Sequence, residues 1–157
     1  MGCNPRDMAA VLRLLRRKRR PVEQGVLMVA SSIEQIRPFI GPLDDALEAQ
    51  LQASWPGPVN WVLPASDRCP PWISGGHEGV GVRVSAHPVV RELCELWGGP
   101  LVSTSANQAG QPSAMTAGQV ATILNGEADF VVPGALGGRQ NACEIRSGLS
   151  GEILRPG

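Results

Sequence analysis

VGVRVSAHPVVRELCELWGGPLVSTSAN, residues 80–107, contains one strand, one helix, a second strand and a polar loop in 28 residues. Val80-Gly81-Val82-Arg83-Val84 alternates with the two-residue period of a strand, so Arg83 points opposite to the valines. Pro88–Trp97 reads as a helix closed by Gly98-Gly99. Leu101–Thr104 reads as a strand that runs directly into Ser103, Thr104, Ser105 and Asn107, with Gly110 and Ser113 beyond.

The same alternation extends outward on both sides. Toward the N-terminus, Asn4-Pro5-Arg6-Asp7 reads as a helix start, with Asn4 as cap and Pro5 at the first position. Met8, Val11, Leu12 and Leu15 then form one apolar stripe, and Pro21 stops the helix, leaving Lys18–Arg20 at its frayed end. Val26–Ala30 is an expected buried strand, followed by a short helix from Ser32 to Pro38 and another over Pro42–Ala53. Trp55-Pro56-Gly57-Pro58 turns into a strand at Val59–Leu63. Beyond the quoted stretch, Thr116 and Gln119 form a capping box for a helix ending at Asn125-Gly126. Phe130–Val132, Ala142–Arg146 and Glu152–Arg155 are expected strands. The fold class is therefore α/β with a mixed sheet, in a single domain over residues 1–157.

Composition narrows the chemistry. The chain is neutral overall, with 14 basic and 14 acidic residues, and only 18% of residues are charged against 43% hydrophobic. That balance argues against disorder, and no apolar run reaches the roughly 20 residues of a membrane helix. A cytoplasmic protein is expected, with Cys3, Cys69, Cys94 and Cys143 as incidental thiols at spacings that hold no metal. Residues 1–20 nevertheless carry seven basic groups against Asp7, a balance of +6, while the other 137 residues balance at −6. Charge alone leaves two readings open, a solvated helix face or a site for an anionic ligand or nucleic acid. Lys18 is the only lysine, and because Arg19 follows it a Walker phosphate loop is excluded.

Other enzyme signatures are absent too: there is no G-x-S-x-G, H-E-x-x-H or dinucleotide-binding glycine loop. Three features remain. Lys18-Arg19-Arg20-Pro21 could clamp phosphates or a carboxylate between a point charge and a bidentate fork. The Ser103–Asn107 loop with Gly110 and Ser113 offers hydroxyls and N–H groups beyond a strand end, where open α/β sheets bind ligands. Arg83 and Arg155, each in a strand pattern, need an anionic partner or solvent. Together they suggest a cleft for phosphate and carboxylate, with catalysis by positioning and electrostatics, as in nucleotidyl transfer.

These residues resemble the YrdC-like family of threonylcarbamoyl-AMP synthases. Lys18-Arg19-Arg20-Pro21 resembles its K-x-R-P motif, and Ser103-Thr104-Ser105-Ala106-Asn107 with Gly110 and Pro112-Ser113 resembles its S-x-S-A-N-x-x-G-x-P-S segment. Trp55–Pro58, Val82-Arg83-Val84 with His87-Pro88, and Ile153-Leu154-Arg155 followed by Gly157 fall in the same order. The resemblance implies an open twisted mixed sheet with flanking helices and a concave positive cleft. It implies synthesis of threonylcarbamoyl-AMP from L-threonine, bicarbonate and ATP, with release of pyrophosphate, for threonylcarbamoyladenosine modification of tRNA. It assigns Lys18 and Arg20 to the ATP phosphates, Ser105, Asn107, Ser113 and Arg155 to the nucleotide, and Arg83 and Ser103 to threonine. There would be no catalytic residue beyond these positioning groups and no protein-bound metal, Mg2+ arriving with ATP. Partners would be the three substrates, with tRNA or the downstream transfer complex beyond them.

One departure carries its own expectation. The family pattern has roughly 35–45 residues ahead of Gly2-Cys3-Asn4-Pro5, a strand–helix–strand stretch with a Tyr-Pro-Thr-acidic motif. Without it the chain is expected to expose a sheet edge and apolar surface and to be weakly active or inactive. The alternatives are an RNA-binding or ribosome-assembly factor using segment 13–20, an inactive relative, and a carbamoyl-handling domain like those of long hydrogenase-maturation proteins.

Overall fold

The computed structural model describes residues 1–108, 110–124, 128–134 and 143–157. Its elements are helix α1 (Met8–Lys18), strand β1 (Met28–Ala30), α2 (Ile33–Ile36), α3 (Asp45–Ser54), β2 (Val59–Pro64), α4 (Pro71–Ser74) and β3 (Gly79–Val84). Then follow α5 (Pro88–Trp97), β4 (Leu101–Val102), α6 (Ala117–Leu124), β5 (Glu144–Ser147) and β6 (Ile153–Arg155). The strands form one six-stranded sheet in the order β4-β1-β3-β2-β5-β6. β1/β3 and β2/β5 are parallel and the other pairs antiparallel, so the sheet is mixed as expected.

Register builds the core. Val102, Met28, Val82 and Trp61 face one another across four adjacent strands, and each is at most 1% exposed. The row continues to Arg146, whose guanidinium lies over the Trp61 ring, 5.6 Å from its centre. Val11, Leu14 and Leu15 of α1, Ile36 of α2, Leu47 and Leu51 of α3 and Ile73 of α4 pack on this face. The opposite face of β3 carries Gly79, Gly81 and Arg83, all partly open.

Several local expectations are corrected. Asp7, not Asn4, caps α1, its carboxylate accepting from the Ala10 N–H at 3.0 Å. Asn4 instead accepts from the Arg6 N–H, and Pro5 is fully buried in the preceding turn. The buried stripe is Val11, Leu14, Leu15 and Lys18, rotated from the one expected, while Met8 and Leu12 stand exposed. Lys18 therefore belongs to the buried face and not to a frayed end. The periodicity argument counts it as polar, whereas the fold gives it internal partners. Val26 precedes β1 and bonds to the Ile73 carbonyl. Phe130–Val132 is not a strand and is exposed, and among the described residues no strand pairs with it. The expected helix end at Asn125-Gly126 and the start of the strand at Ala142 lie outside the described residues. α5 and the Thr116–Gln119 box match expectation.

The sheet edges differ. β6 is exposed along its whole length, whereas Met1 and Cys3 run beside the β4 edge, accepting from the Thr104 and Val102 N–H groups at 2.9 Å. An apolar groove beside that edge is lined by Cys3, Leu93, Trp97, Leu101, Phe130 and Val132.

Trp61 spans the core and donates its indole N–H to Ser54 Oγ at 3.0 Å. Trp61→Ala is expected to cost about 3–5 kcal/mol, read as a lowered denaturant midpoint. The thiols of Cys3 and Cys69 add a pH dependence. Burial pushes both up to about 11 from an ordinary value of 9.0. The folded chain then keeps protons that the unfolded chain loses. Their contribution is full below pH 9 and is lost as pH rises to about 11. The urea midpoint should fall across that window, and alkylation of both thiols should lag until its upper end.

Candidate active site

The open face of the sheet is the floor of a cleft of about 800 Å³. β2 supplies Asn60 and Val62, β3 supplies Gly79, Gly81 and Arg83, and β5 and β6 supply Ile145 and Arg155. The register explains the placement: Asn60 pairs with Ile145 and Ile145 with Arg155, so all three share one face. The two glycines keep the floor low. A side chain at Gly81 would meet Leu27 Cδ2 at 2.3 Å, and one at Gly79 would meet Val62 Cγ1 at 2.6 Å. The walls are the Lys18–Leu27 segment, the Ser103–Ser105 loop, Ser113, and His77 with Glu78.

The residues singled out from sequence converge here. Lys18, Arg20, Arg83, Ser103, Ser105, Ser113 and Arg155 all line the cleft. Asn107 stands one contact behind its wall. Its Oδ1 accepts from Lys18 Nζ at 3.0 Å and from Ser105 Oγ at 2.6 Å, and its Nδ2 donates to the Gln111 carbonyl at 2.5 Å. The basic segment thus divides. Lys18 and Arg20 turn into the cleft, separated by Arg19 in the left-handed conformation (φ 50°), while Arg13, Arg16 and Arg19 stay exposed on the outside. Arg13 pairs there with Asp129.

Lys18 is only 5% exposed, and its ammonium donates to the carbonyls of Ser105 (2.7 Å) and Asn107 (3.0 Å) as well as to Asn107 Oδ1. Burial, and then the neighbouring Arg20, lower its pKa from the usual lysine value. Burial also lowers that of Arg20, which donates from Nε to the Gly25 carbonyl and from Nη2 to the Gln24 carbonyl, both at 3.0 Å. Across the floor, Arg83 Nη1 donates to Cys143 Sγ at 2.9 Å, and Arg155 Nη2 donates to the Cys143 carbonyl at 2.8 Å. Arg83 Nε is buried with no partner among the described residues. The cleft lining among the described residues holds four cationic side chains against one carboxylate, Glu78.

Sequence reading missed Asn60, His77, Glu78 and Cys143 as parts of this site. Asn60 sits in an alternating strand and was legible as a face partner of Val62. His77 and Glu78 lie in a turn that is placed by His77 Nε2 donating to the Glu23 carbonyl at 2.7 Å, a contact between residues 54 apart. Cys143 gives no spacing signal. The site also lies over a sheet face, not only beyond strand ends as the loop reading implied.

A mixed six-stranded sheet with flanking helices makes this an α/β protein. The Sua5_yciO_yrdC family model, described as telomere recombination, matches residues 1–157, and the chain belongs to this family. It is 50% identical over 157 residues to a threonylcarbamoyl-AMP synthase of Xanthomonas axonopodis pv. citri (strain 306), covering 99% of this chain and 84% of that protein. A double variant of P. abyssi Sua5 has the same fold, with a TM-score of 0.93 and 31% identity over 99% of this chain. P. abyssi Sua5 complexed with L-threonine matches at a TM-score of 0.86 and 31% identity over 93% of the chain. The chain spans about half the length of these Sua5 proteins, 48% and 43%.

The low floor is a testable element. Gly81→Val would press its side chain on Leu27 and is expected to cost about 1–3 kcal/mol by overpacking, measured as a lowered denaturant midpoint.

Proposed function

We propose that this chain is an L-threonylcarbamoyladenylate synthase, a nucleotidyltransferase that uses ATP and L-threonine and serves tRNA modification. The observation that carries the reading is convergence. Residues 18, 20, 83, 103, 105, 113 and 155, far apart in sequence, line one cleft in a chain half identical to a threonylcarbamoyl-AMP synthase. The P. abyssi Sua5 complex with L-threonine supports threonine as one substrate.

The chemistry suits the groups present. The threonine amine condenses with bicarbonate to a carbamate, and water is lost. A carbamate oxygen attacks the α-phosphorus of ATP, the bond from that phosphorus to the α,β-bridging oxygen breaks, and pyrophosphate leaves. Nothing here requires a side-chain nucleophile. Charge must be held while the carbamate and triphosphate, both anionic, are brought together, a task for positioned donors in a partly desolvated cleft. Arg83, whose buried Nε has no partner among the described residues, and Ser103 face the threonine carboxylate and hydroxyl. Arg20 and Arg155 face the nucleotide phosphates, while Ser105, Asn107 and Ser113 shape its pocket. Mg2+ enters bound to ATP, since a hard cation that keeps its waters is carried by phosphates in such sites. Among the described residues no helix is long and apolar enough to cross a membrane, and a cytoplasmic setting suits the four free thiols.

The test is calorimetric binding of ATP and of L-threonine, with pyrophosphate release measured in the presence and absence of threonine and bicarbonate. Both ligands should bind, and release should require both co-substrates. Arg20→Ala should weaken ATP roughly 10–100-fold with little effect on threonine, the value of a charge-assisted hydrogen bond, and Arg83→Ala should do the reverse. A chain that binds neither ligand, or that binds RNA with a steep salt dependence instead, overturns the proposal.

A further inference from the structure

We infer that the side-chain oxygen of Asn60 accepts the N–H of the amino-acid substrate, which makes Asn60 a specificity-determining residue for the amine. The inference rests on the threonine reading above and deepens it.

The sense of the amide comes first. Asn60 is 5% exposed, and its Nδ2 donates to the Glu144 carbonyl at 3.0 Å. A carbonyl only accepts, so the –NH2 must face it and Oδ1 must point away. Oδ1 takes no partner among the described residues, and Asn60 lines the cleft. Among the described residues of the floor, this oxygen is the only side-chain acceptor.

The neighbour of Asn60 decides what it receives. Trp61 pairs with Val82, so the next residues outside that pair, Asn60 and Arg83, stand side by side on the cleft face. Residues opposed in this way have Cβ atoms about 4.5–5.5 Å apart, so one small ligand can meet both. Arg83 only donates, and Asn60 Oδ1 only accepts. An α-amino acid carries the complementary pair on a single carbon, a carboxylate that accepts and a nitrogen that donates. The threonine hydroxyl can do either, and Ser103 on the wall, with the same versatility, faces it.

Neutrality matters as much as direction. Four cationic side chains line the cleft against Glu78, which disfavours a bound ammonium and favours the free amine. A carboxylate at position 60 would reverse that preference. An amide oxygen takes one N–H and leaves the nitrogen lone pair open to the bicarbonate carbon. On carbamate formation the C–N bond forms, the second amine proton departs in the water that is lost, and the remaining N–H stays on Asn60.

Calorimetric binding of three ligands to the wild type and to Asn60→Ala tests this. L-Threonine carries amine and hydroxyl, L-2-aminobutyrate only the amine, and (R)-3-hydroxybutyrate only the hydroxyl. Asn60→Ala should weaken L-threonine and L-2-aminobutyrate by the same factor, roughly tenfold, and leave (R)-3-hydroxybutyrate and ATP unchanged. Loss confined to the two hydroxyl-bearing ligands assigns Oδ1 to the hydroxyl and overturns the inference. Equal loss for all ligands, ATP included, marks a structural role and overturns it, as does no loss at all. If Asn60→Ala fails to fold, Asn60→Ser replaces it, its hydroxyl being shorter than the amide, and the same pattern is expected. A wild-type chain that binds no L-threonine overturns the threonine reading and this inference together, whereas a wild-type chain that binds it with any other pattern in the variant overturns the inference alone.

Discussion

The alternation of β3 is the constraint on which the molecule depends. Val80, Val82 and Val84 are buried against the helices, while Gly79, Gly81 and Arg83 form the cleft floor between them. Because side chains alternate at every residue, one strand commits both faces at once. A slip by a single residue would place an arginine in the core and valines across the floor. The flanking pairings hold the register: Met28 and Trp61 meet Val82 from either side, and all three are closed to solvent.

The walls follow from how the chain leaves its elements. α1 ends on Lys18, and Arg19, left-handed at φ 50°, redirects the backbone so that Arg20 emerges on the cleft side before Pro21. β4 is only two residues long, and beyond it the Ser103 N–H bonds to the Leu27 carbonyl while the Thr104 N–H bonds to Met1. The polar loop is thus tied to β1 on one side and to the first residues on the other before Lys18 closes it. Site residues from the two ends of the chain meet because the sheet order places β1 beside β4 and β3, and β6 at the far edge.

How much was legible depends on how local the signal is. α5 was read with its exact bounds because Gly98, at positive φ, stops it sharply. The orientation of Arg83 was legible because a period of two needs only five residues. The burial of Lys18 was not, since its three acceptors lie 87 and 89 residues away and no periodicity announces them. Phe130–Val132 shows the converse failure: an apolar run has strand composition, but only a neighbour with free donors makes it a strand. Strand order and the location of the cleft over a face are properties of long-range pairing. Composition and motif order named residues that meet at one cleft, without saying which stand at its surface and which behind it.

The single lysine has a consequence for the outside of the molecule. With Lys18 enclosed, no lysine is exposed anywhere on the chain, and every basic side chain that meets solvent, histidine aside, is an arginine. Guanidinium stays charged up to about pH 12 and is not a substrate for the acetylation that neutralises amines. The exterior basicity beside the cleft is therefore a fixed quantity. Its pull on an approaching polyanion is adjustable by ionic strength and by partner carboxylates, but not by mild alkali or lysine modification.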